Sequence, residues 1–201
     1  HNEQSLRMVE VLERHGDHQG LNLTTAVRDG IVGHTGAIIP VTLEGQIIRI
    51  VDRIAYLCHD FDDAQRAGML TAEALPFEVR EHFGMTPSSM ITAMVEDMVR
   101  ESLDKPAISM SADVEMTMNL FRQFMFKHVY LAPALIPDRK KASHVVKNLF
   151  THFMEHPDDM EGCETGKAFY STRDVVDYVA GLTDQYAIKL FKQYYIPNIT
   201  L

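Results

Sequence analysis

Apolar residues recur every three or four positions along most of this chain, the spacing that puts side chains on one face of an α-helix. Alternation with a period of two residues is confined to the short stretch 37–39. The apolar spacing predicts helices over these segments: 3–14, 25–33, from 42 to about 60, a short one ending near 68, 76–83, 87–103, 112–130, 138–155, 174–180 and 186–195. We therefore predict an all-α fold.

Residues at the ends of these segments support the predicted boundaries. Thr183 precedes a helical segment and carries a hydroxyl that can accept a bond from a free backbone N–H. Thr86 precedes Pro87, an order typical of a helix start because proline is tolerated in the first turn. The run 60–63 is rich in carboxylates, so we expect the long helix to give way there to the short one.

Asp52, Tyr56 and Asp60 follow one another at four-residue intervals on the long predicted helix. Each step of four residues rotates by about 40°, so the three polar side chains fall within an arc of about 80°. The opposite face is apolar and is formed by Ile47, Ile50, Val51, Ile54, Leu57 and Cys58. The polar stripe suits either a solvated surface or the wall of a site.

A carboxylate that projects from a helix can contribute to a metal site in a helical core, together with ligands from neighbouring helices. Asp52 fits that role, but one carboxylate does not hold a catalytic cation, which requires several ligands and an open position. From the pattern alone, a surface carboxylate paired with Arg49 or Arg53 is an equally good interpretation. The structural alternative for Tyr56 is a packed aromatic ring, and for Asp60 it is the cap of the following short helix.

The composition is that of a folded, soluble chain. Its 201 residues are 46% hydrophobic, enough for one domain or one domain with a helical appendage. No apolar run approaches the roughly 20 residues of a membrane span, and no segment resembles a signal peptide. We expect a cytoplasmic protein whose two cysteines, Cys58 and Cys163, are reduced thiols.

The formal net charge of −9 makes a broad nucleic-acid surface an unfavourable interpretation. A nucleotide could still bind if a divalent metal and a few local cations, such as Arg49, Arg53 and Arg66, offset the repulsion. The chain opens on His1 without an initiator methionine, and we therefore expect it to be a fragment of a longer protein.

Several ordered blocks resemble deoxyguanosinetriphosphate triphosphohydrolase-like proteins of the HD superfamily. These blocks are residues 1–7, 20–24, 30–36, 42–46 and 52–56, and a weaker match follows at 174–190. The resemblance implies the C-terminal portion of an HD-type helical bundle with further C-terminal helices. It also implies a division into residues 1–70, part of the phosphohydrolase core, and residues 71–201, a helical continuation.

The resemblance implies a divalent metal, Mg²⁺ or Mn²⁺, held by a His, an adjacent His-Asp pair and a distant Asp. Asp52 matches the distant Asp. The other three ligands precede the His1 block in the family, so we expect an incomplete metal site in this chain. His59 and Asp60 form a His-Asp pair, but they lie downstream of Asp52, where the resemblance gives Asp60 another role.

The resemblance also implies substrate contacts on the same stripe. Tyr56 and Asp60 would contact the sugar of a deoxynucleoside triphosphate, with Asp60 accepting a bond from the 3′-hydroxyl, and Arg53 would lie near the phosphates. These chemistries agree with the residue types, because an ionised carboxylate accepts a strong bond from a hydroxyl, an aromatic face packs on a sugar and a cation stabilises polyphosphate.

Three further residues complete the predicted site. By resemblance, His1 would act near the phosphates as a catalytic residue, while Arg122 and Tyr130 would contact phosphate and nucleoside. The residue pattern leaves alternatives open, since Arg122 could be a solvated helix charge and Tyr130 a packed ring.

The expected function of the intact protein is hydrolysis of a deoxynucleoside triphosphate to deoxynucleoside and tripolyphosphate, with this chain inactive on its own. A second interpretation is an HD phosphohydrolase that acts on another nucleotide or phosphate ester. A third is a helical module that binds nucleotide or mediates oligomerisation without catalysis. Methionines at 110, 116, 118 and 125 predict a helical core or an oligomer interface, and we expect a homo-oligomer.

Overall fold

Helices form nearly all the regular structure in the computed structural model, which describes residues 1–161 and 170–197. The predicted all-α class is confirmed. Cys163 and the second half of the loop predicted near 157–168 lie outside the described residues. No helix in the described ranges is both long enough and apolar enough to cross a bilayer.

The chain divides into two compact units, His1–Leu131 and Ala132–Leu201. The first unit contains, in order, α1 (Asn2–Arg7), a π-helical turn (Met8–Leu12), β1 (Arg14–His15), β2 (His18–Gln19), α2 (Thr25–Gly33), α3 (Leu43–Arg66), α4 (Phe77–Phe83), α5 (Pro87–Ser102), α6 (Ala112–Met125) and a second π-helical segment (Phe126–Tyr130). The division predicted at residue 70 concerns the extent of a family domain, and it stays a prediction.

A small antiparallel hairpin interrupts the helices near the start of the chain, where β1 pairs with β2. The pattern of apolar residues does not predict it, because both strands are only two residues long and fully exposed. Gly16 forms its turn with a φ of 60°, a left-handed conformation that glycine adopts without strain.

The core of the first unit is built around α3. Most of its buried members come from α3, α4, α5 and α6: Ile54, Leu57, Cys58, Phe61, Ala64, Val79, Phe83, Met90, Met94, Met118, Phe121 and Met125. Leu75 and Val129 complete the cluster from outside these helices. Phe61 and Phe121 meet edge to face with ring centroids 5.8 Å apart. Burial raises the pKa of the Cys58 thiol to about 12, so this side chain behaves as a neutral core residue.

The prediction of a break in the long helix at residues 60–63 is wrong, because α3 runs without interruption from Leu43 to Arg66. Its apolar face continues through Phe61 and Ala64, and both residues are buried. Tertiary burial therefore outweighs the low helix preference of the local aspartates. Asp60 consequently lies inside a helix and does not cap one.

The described residues of the second unit form three α-helices, α7 (Ile136–Glu155), α8 (Thr172–Gly181) and α9 (Asp184–Tyr195). Ser171 and Thr183 cap α8 and α9 by accepting bonds from backbone N–H groups. The buried residues of this core are Leu149, Phe153, Met160, Val175 and Leu190. Each helix therefore contributes one apolar face, as its spacing predicts.

Candidate functional site

Helices α2 and α3 approach closely through glycine residues. A Cβ atom added to Gly45 would lie 2.5 Å from the Cβ atom of Pro40, and one added to Gly33 would lie 2.8 Å from Pro40 Cγ. Neither position has room for a side chain. The connection from residue 34 to residue 42 is therefore held between the two helices.

Arg49 fixes the shape of this connection. Its guanidinium donates hydrogen bonds to the carbonyl oxygens of Gly33, Gly36 and Ile38 over 2.8, 2.5 and 3.1 Å. The backbone N–H of Val41 also donates to the Asp29 carboxylate over 2.8 Å. Arg49 is thus committed to backbone carbonyls, which argues against the ion pair with Asp52 that the spacing allowed.

The clamped connection forms one wall of a polar cleft with a volume of about 260 Å³. Asp52 and Tyr56 of the stripe on α3 lie along its floor, and α6 forms the opposite wall. The lining residues are His34, Thr35, Gly36, Arg49, Asp52, Arg53, Tyr56, Asn119 and Arg122. The structure therefore brings four of the predicted site residues, Asp52, Arg53, Tyr56 and Arg122, to one cleft.

Asp52 is exposed in this cleft, and within residues 1–161 and 170–197 no ion pair involving it is found. Arg53 is half-buried and lines the same cleft. The interpretation of Asp52 as a surface carboxylate paired with a neighbouring arginine therefore has no support from the geometry. Its role as a metal ligand stays a prediction.

Two hydrogen bonds connect the stripe on α3 to α6 and the π-helical segment that follows it. Arg122 Nε donates to the Tyr56 hydroxyl over 3.2 Å, and the Tyr130 hydroxyl donates to Asp60 Oδ2 over 2.7 Å. The partners are 66 and 70 residues apart in the chain. The tertiary fold thus joins the two pairs of residues that the resemblance assigns to the substrate.

Arg122, Phe126 and Tyr130 form a second stripe opposite the first. The Arg122 guanidinium lies 4.8 Å from the centre of the Phe126 ring, and Phe126 meets Tyr130 edge to face at 5.0 Å. Burial and the bond to Asp60 together raise the pKa of the Tyr130 hydroxyl well above its usual value. Because its hydroxyl donates to Asp60, Tyr130 is not a purely packed ring.

His1 lies at the rim of the cleft, exposed, with its Nε2 atom 3.1 Å from Nε2 of His34. The Nδ1 atom of His34 donates to the carbonyl oxygen of Ile31 over 2.7 Å, so Nε2 of a neutral His34 is the acceptor in this contact. Asn2 anchors the start of α1 by donating to the Val32 carbonyl over 2.7 Å. The catalytic role of His1 stays a prediction.

Among the residues that the structure describes, no three His, Cys, Asp or Glu side chains come together as a metal-binding set. A catalytic cation needs several ligands and an open position. Asp52 can therefore serve only as one ligand among others that the described residues do not provide.

Four residues that line the cleft are absent from the predicted site: His34, Thr35, Gly36 and Asn119. His34 belongs to a Gly-His-Thr-Gly block that carries the resemblance, and that block is a usable signal. Asn119 precedes Arg122 by three residues, which places both on one face of α6. The sequence predicts Arg49 as a local cation for a nucleotide, but its guanidinium donates to backbone carbonyls of a loop.

Comparison with known proteins agrees with the resemblance. The family model described as "Phosphohydrolase-associated domain" matches residues 108–193. A deoxyguanosinetriphosphate triphosphohydrolase-like protein of Caldanaerobacter subterraneus subsp. tengcongensis is 40% identical over 200 residues, which cover 98% of this chain and 58% of the relative. A protein of the same description from Clostridium perfringens strain 13 is 36% identical over 215 residues, covering 100% of this chain and 61% of the relative.

A third relative of that description, from Desulfatibacillum aliphaticivorans, is 33% identical over 219 residues, covering 98% of this chain and 62% of the relative. The chain thus spans 58% to 62% of the length of these curated relatives. Since the matches extend over nearly all of its own residues, the chain belongs to the deoxyguanosinetriphosphate triphosphohydrolase-like family.

Proposed function

We propose that this chain forms the substrate-binding side of a deoxynucleoside triphosphate triphosphohydrolase. The intact protein would release tripolyphosphate and a deoxynucleoside from its substrate. The observation that carries the proposal is the pair of interhelical bonds, Arg122 to Tyr56 and Tyr130 to Asp60, beside a cleft that contains Asp52 and Arg53.

The sugar end of the substrate is assigned to Asp60, Tyr130 and Tyr56. Tyr130 uses one oxygen of the Asp60 carboxylate, and an ionised carboxylate offers about four lone-pair positions. A 3′-hydroxyl can therefore donate to the other oxygen in a charge-assisted bond. The Tyr56 hydroxyl accepts from Arg122, so its own proton is available for an oxygen of the ligand.

The phosphate end is assigned to Arg53 and Arg122, which line the cleft on facing helices. Two guanidinium groups supply planar donors that suit phosphate oxygens. This local positive charge matters in a chain whose net charge is −9, because it offsets the general repulsion of a triphosphate. The relatives are described as deoxyguanosinetriphosphate triphosphohydrolase-like proteins, which supports the proposal of an anionic nucleotide in this cleft.

A divalent metal, Mg²⁺ or Mn²⁺, would activate water for attack on the α-phosphorus. Asp52 would be one of its ligands, and the further ligands would come from outside the described residues. We therefore expect this chain alone to be inactive. Detectable release of tripolyphosphate by the purified 201-residue chain would contradict that expectation.

The proposal is tested by product analysis with an intact protein that carries this chain. The protein is incubated with dGTP and Mn²⁺, and the products are separated by phosphorus NMR and chromatography. Tripolyphosphate with deoxyguanosine supports the proposal, whereas orthophosphate or pyrophosphate would refute it.

Arg122→Ala should raise KM about tenfold or more through loss of a charged contact of about 1.4 kcal/mol or more. Lys127→Ala, which removes an exposed cation from the next helical segment, should leave KM unchanged.

A nucleotide-binding module without catalysis is the second candidate. It is favoured by the absence of a metal-binding set of three side chains from the residues described. Calorimetric binding of dGTP to the intact protein, without turnover at any Mn²⁺ concentration, would support this candidate over the first.

A further inference from the structure

His34 lies directly after α2, and its two ring nitrogens have different partners. Its Nδ1 atom is 2.7 Å from the carbonyl oxygen of Ile31, and its Nε2 atom is 3.1 Å from Nε2 of His1. A carbonyl oxygen only accepts hydrogen bonds, so the proton of a neutral His34 is on Nδ1. Nε2 of His34 is therefore the acceptor of the second bond, and Nε2 of His1 is its donor.

Hydrogen bonds hold the backbone beneath both rings. The last turn of a helix leaves carbonyl groups without helical partners. In α2 the carbonyl oxygens of residues 31, 32 and 33 accept bonds from the side chains of His34, Asn2 and Arg49, respectively. The bond from Asn2 also ties the start of α1 to this turn. His1 and His34 are thus brought together by the same turn of α2.

The His34 contact leaves Nδ1 of His1 available to a ligand. The two rings meet edge to face, with centroids 5.1 Å apart and planes at 66°. His34 is half-buried and lines the polar cleft, whereas His1 is exposed at the rim. Across the described ranges, His34 is the only hydrogen-bond partner found for the His1 ring.

The charge of this corner suits a phosphate oxygen. A histidine that donates from both ring nitrogens is an imidazolium cation, and charge-assisted bonds to phosphate are strong. The C-terminal end of a helix carries partial negative charge and stabilises a cation beside it. The end of α2 therefore supports the protonated form of His1.

We propose that His34 is the positioning residue for His1. By accepting a hydrogen bond at Nε2, His34 holds the His1 ring so that Nδ1 donates to a phosphate oxygen of the substrate. An exposed side chain otherwise samples several rotamers, and fixing it in advance removes the entropic cost of orientation. The inference rests on the proposed function, because His1 has this role only if the cleft binds a nucleoside triphosphate.

Two substitutions separate positioning of His1 from capping of α2. His34→Asn keeps an amide near the place of Nδ1, where it can still donate to the Ile31 carbonyl, but it has no acceptor at the place of Nε2. His34→Gln carries its amide oxygen near the place of Nε2, where it can accept from His1, and it loses the cap.

The kinetic test uses the intact protein with dGTP. His34→Asn should lower kcat/KM about tenfold or more, because the His1 ring is no longer held. His34→Gln should restore kcat/KM to within about threefold of the wild type. His15→Asn, at an exposed residue of the hairpin, is the matched control and should leave kcat/KM unchanged. An active His34→Asn with an impaired His34→Gln would overturn the inference, since His34 would then serve only as a cap.

Nitrogen NMR of the 201-residue chain with labelled histidine tests the geometry without turnover. At a pH at which both rings are neutral, proton–nitrogen correlation spectra should show the proton of His34 on Nδ1 and that of His1 on Nε2. A proton on Nε2 of His34 would overturn the inference, even if the intact protein hydrolyses dGTP.

Calorimetry separates this inference from the proposed function. If the intact protein binds dGTP without turnover, the proposed function fails, and the variants are compared through the Kd for dGTP. His34→Asn should then raise this Kd and His34→Gln should restore it. Equal Kd values for the wild type and His34→Asn would refute the positioning role, as would an intact protein that does not bind dGTP.

Discussion

The hydrogen bond between Tyr130 and Asp60 gives the most direct quantitative test of the site geometry. Tyr130→Phe removes the hydroxyl alone, and Asp60→Ala removes the acceptor. A bond of 2.7 Å to a carboxylate, with both partners partly buried, is expected to contribute about 1.5 to 3 kcal/mol. The double-mutant cycle should therefore give a coupling free energy near 2 kcal/mol.

Urea denaturation followed by far-ultraviolet circular dichroism is the suitable assay, because the chain contains no tryptophan. The matched control pairs Asp60→Ala with Tyr195→Phe. Tyr195 donates to the Asn148 carbonyl in the other unit, and that cycle should be additive. A coupling below about 0.5 kcal/mol for Tyr130 and Asp60 would refute the reasoning, since it would mean that the bond contributes nothing to the folded state.

The same bond predicts how the free energy of unfolding depends on pH in the alkaline range. Burial and then the bond to Asp60 raise the pKa of Tyr130 in the folded chain above the ordinary value of 10.0. A raised folded pKa means that the contribution is complete below pH 10 and is lost as the pH rises further. The free energy of unfolding should fall more steeply above pH 10 in the wild type than in Tyr130→Phe. Parallel curves would contradict this assignment.

Three further predictions concern the scaffold of the site. Gly45→Ala should lower the free energy of unfolding by about 1 kcal/mol, because its Cβ would meet Pro40 at 2.5 Å. Gly30→Ala is the control, because its Cβ would make an ordinary 3.7 Å contact, and it should be neutral or stabilising by up to about 1 kcal/mol. Equal denaturation midpoints would argue against the close approach. Burial opposes ionisation of Asp97, but the hydrogen bonds from Ser111 and Arg100 outweigh this effect and lower the Asp97 pKa. The contribution of Asp97 to stability is therefore present above pH 3.8 and is lost as the pH falls below that value. Asp97→Asn should therefore cost about 2 kcal/mol at neutral pH and less in acid, as measured by urea denaturation; a constant difference would count against the assignment. Arg49→Ala should speed amide hydrogen exchange at residues 34–38 through loss of three bonds to carbonyls, and unchanged exchange there would exclude the proposed clamp.

The spacing of apolar residues along the chain was sufficient to predict most helices of the fold. The capping hydroxyls of Thr86 and Thr183 are where the sequence places them, and each accepts a backbone bond. The error at Asp60 has a clear cause, because a run of aspartates was interpreted by local preference. Burial of Phe61 on the apolar face of the same helix opposes that preference, and α3 continues through the aspartates.

Some residues of the site could be predicted from local spacing, and others could not. Four-residue spacing alone places Asp52, Tyr56 and Asp60 on one face, since helix geometry depends only on position along the chain. Their partners Arg122 and Tyr130 came from family resemblance, because nothing in the local pattern relates residues 66 and 70 positions apart.

The sequence by itself determined that this protein is helical, where most helices begin and end, and which polar residues share a face of α3. These properties follow from contacts within about one helical turn. Only the tertiary structure decided that Arg49 holds a loop instead of pairing with Asp52 and that α6 closes the cleft. Those outcomes depend on packing between distant segments, and their energies are not encoded in any single stretch of residues.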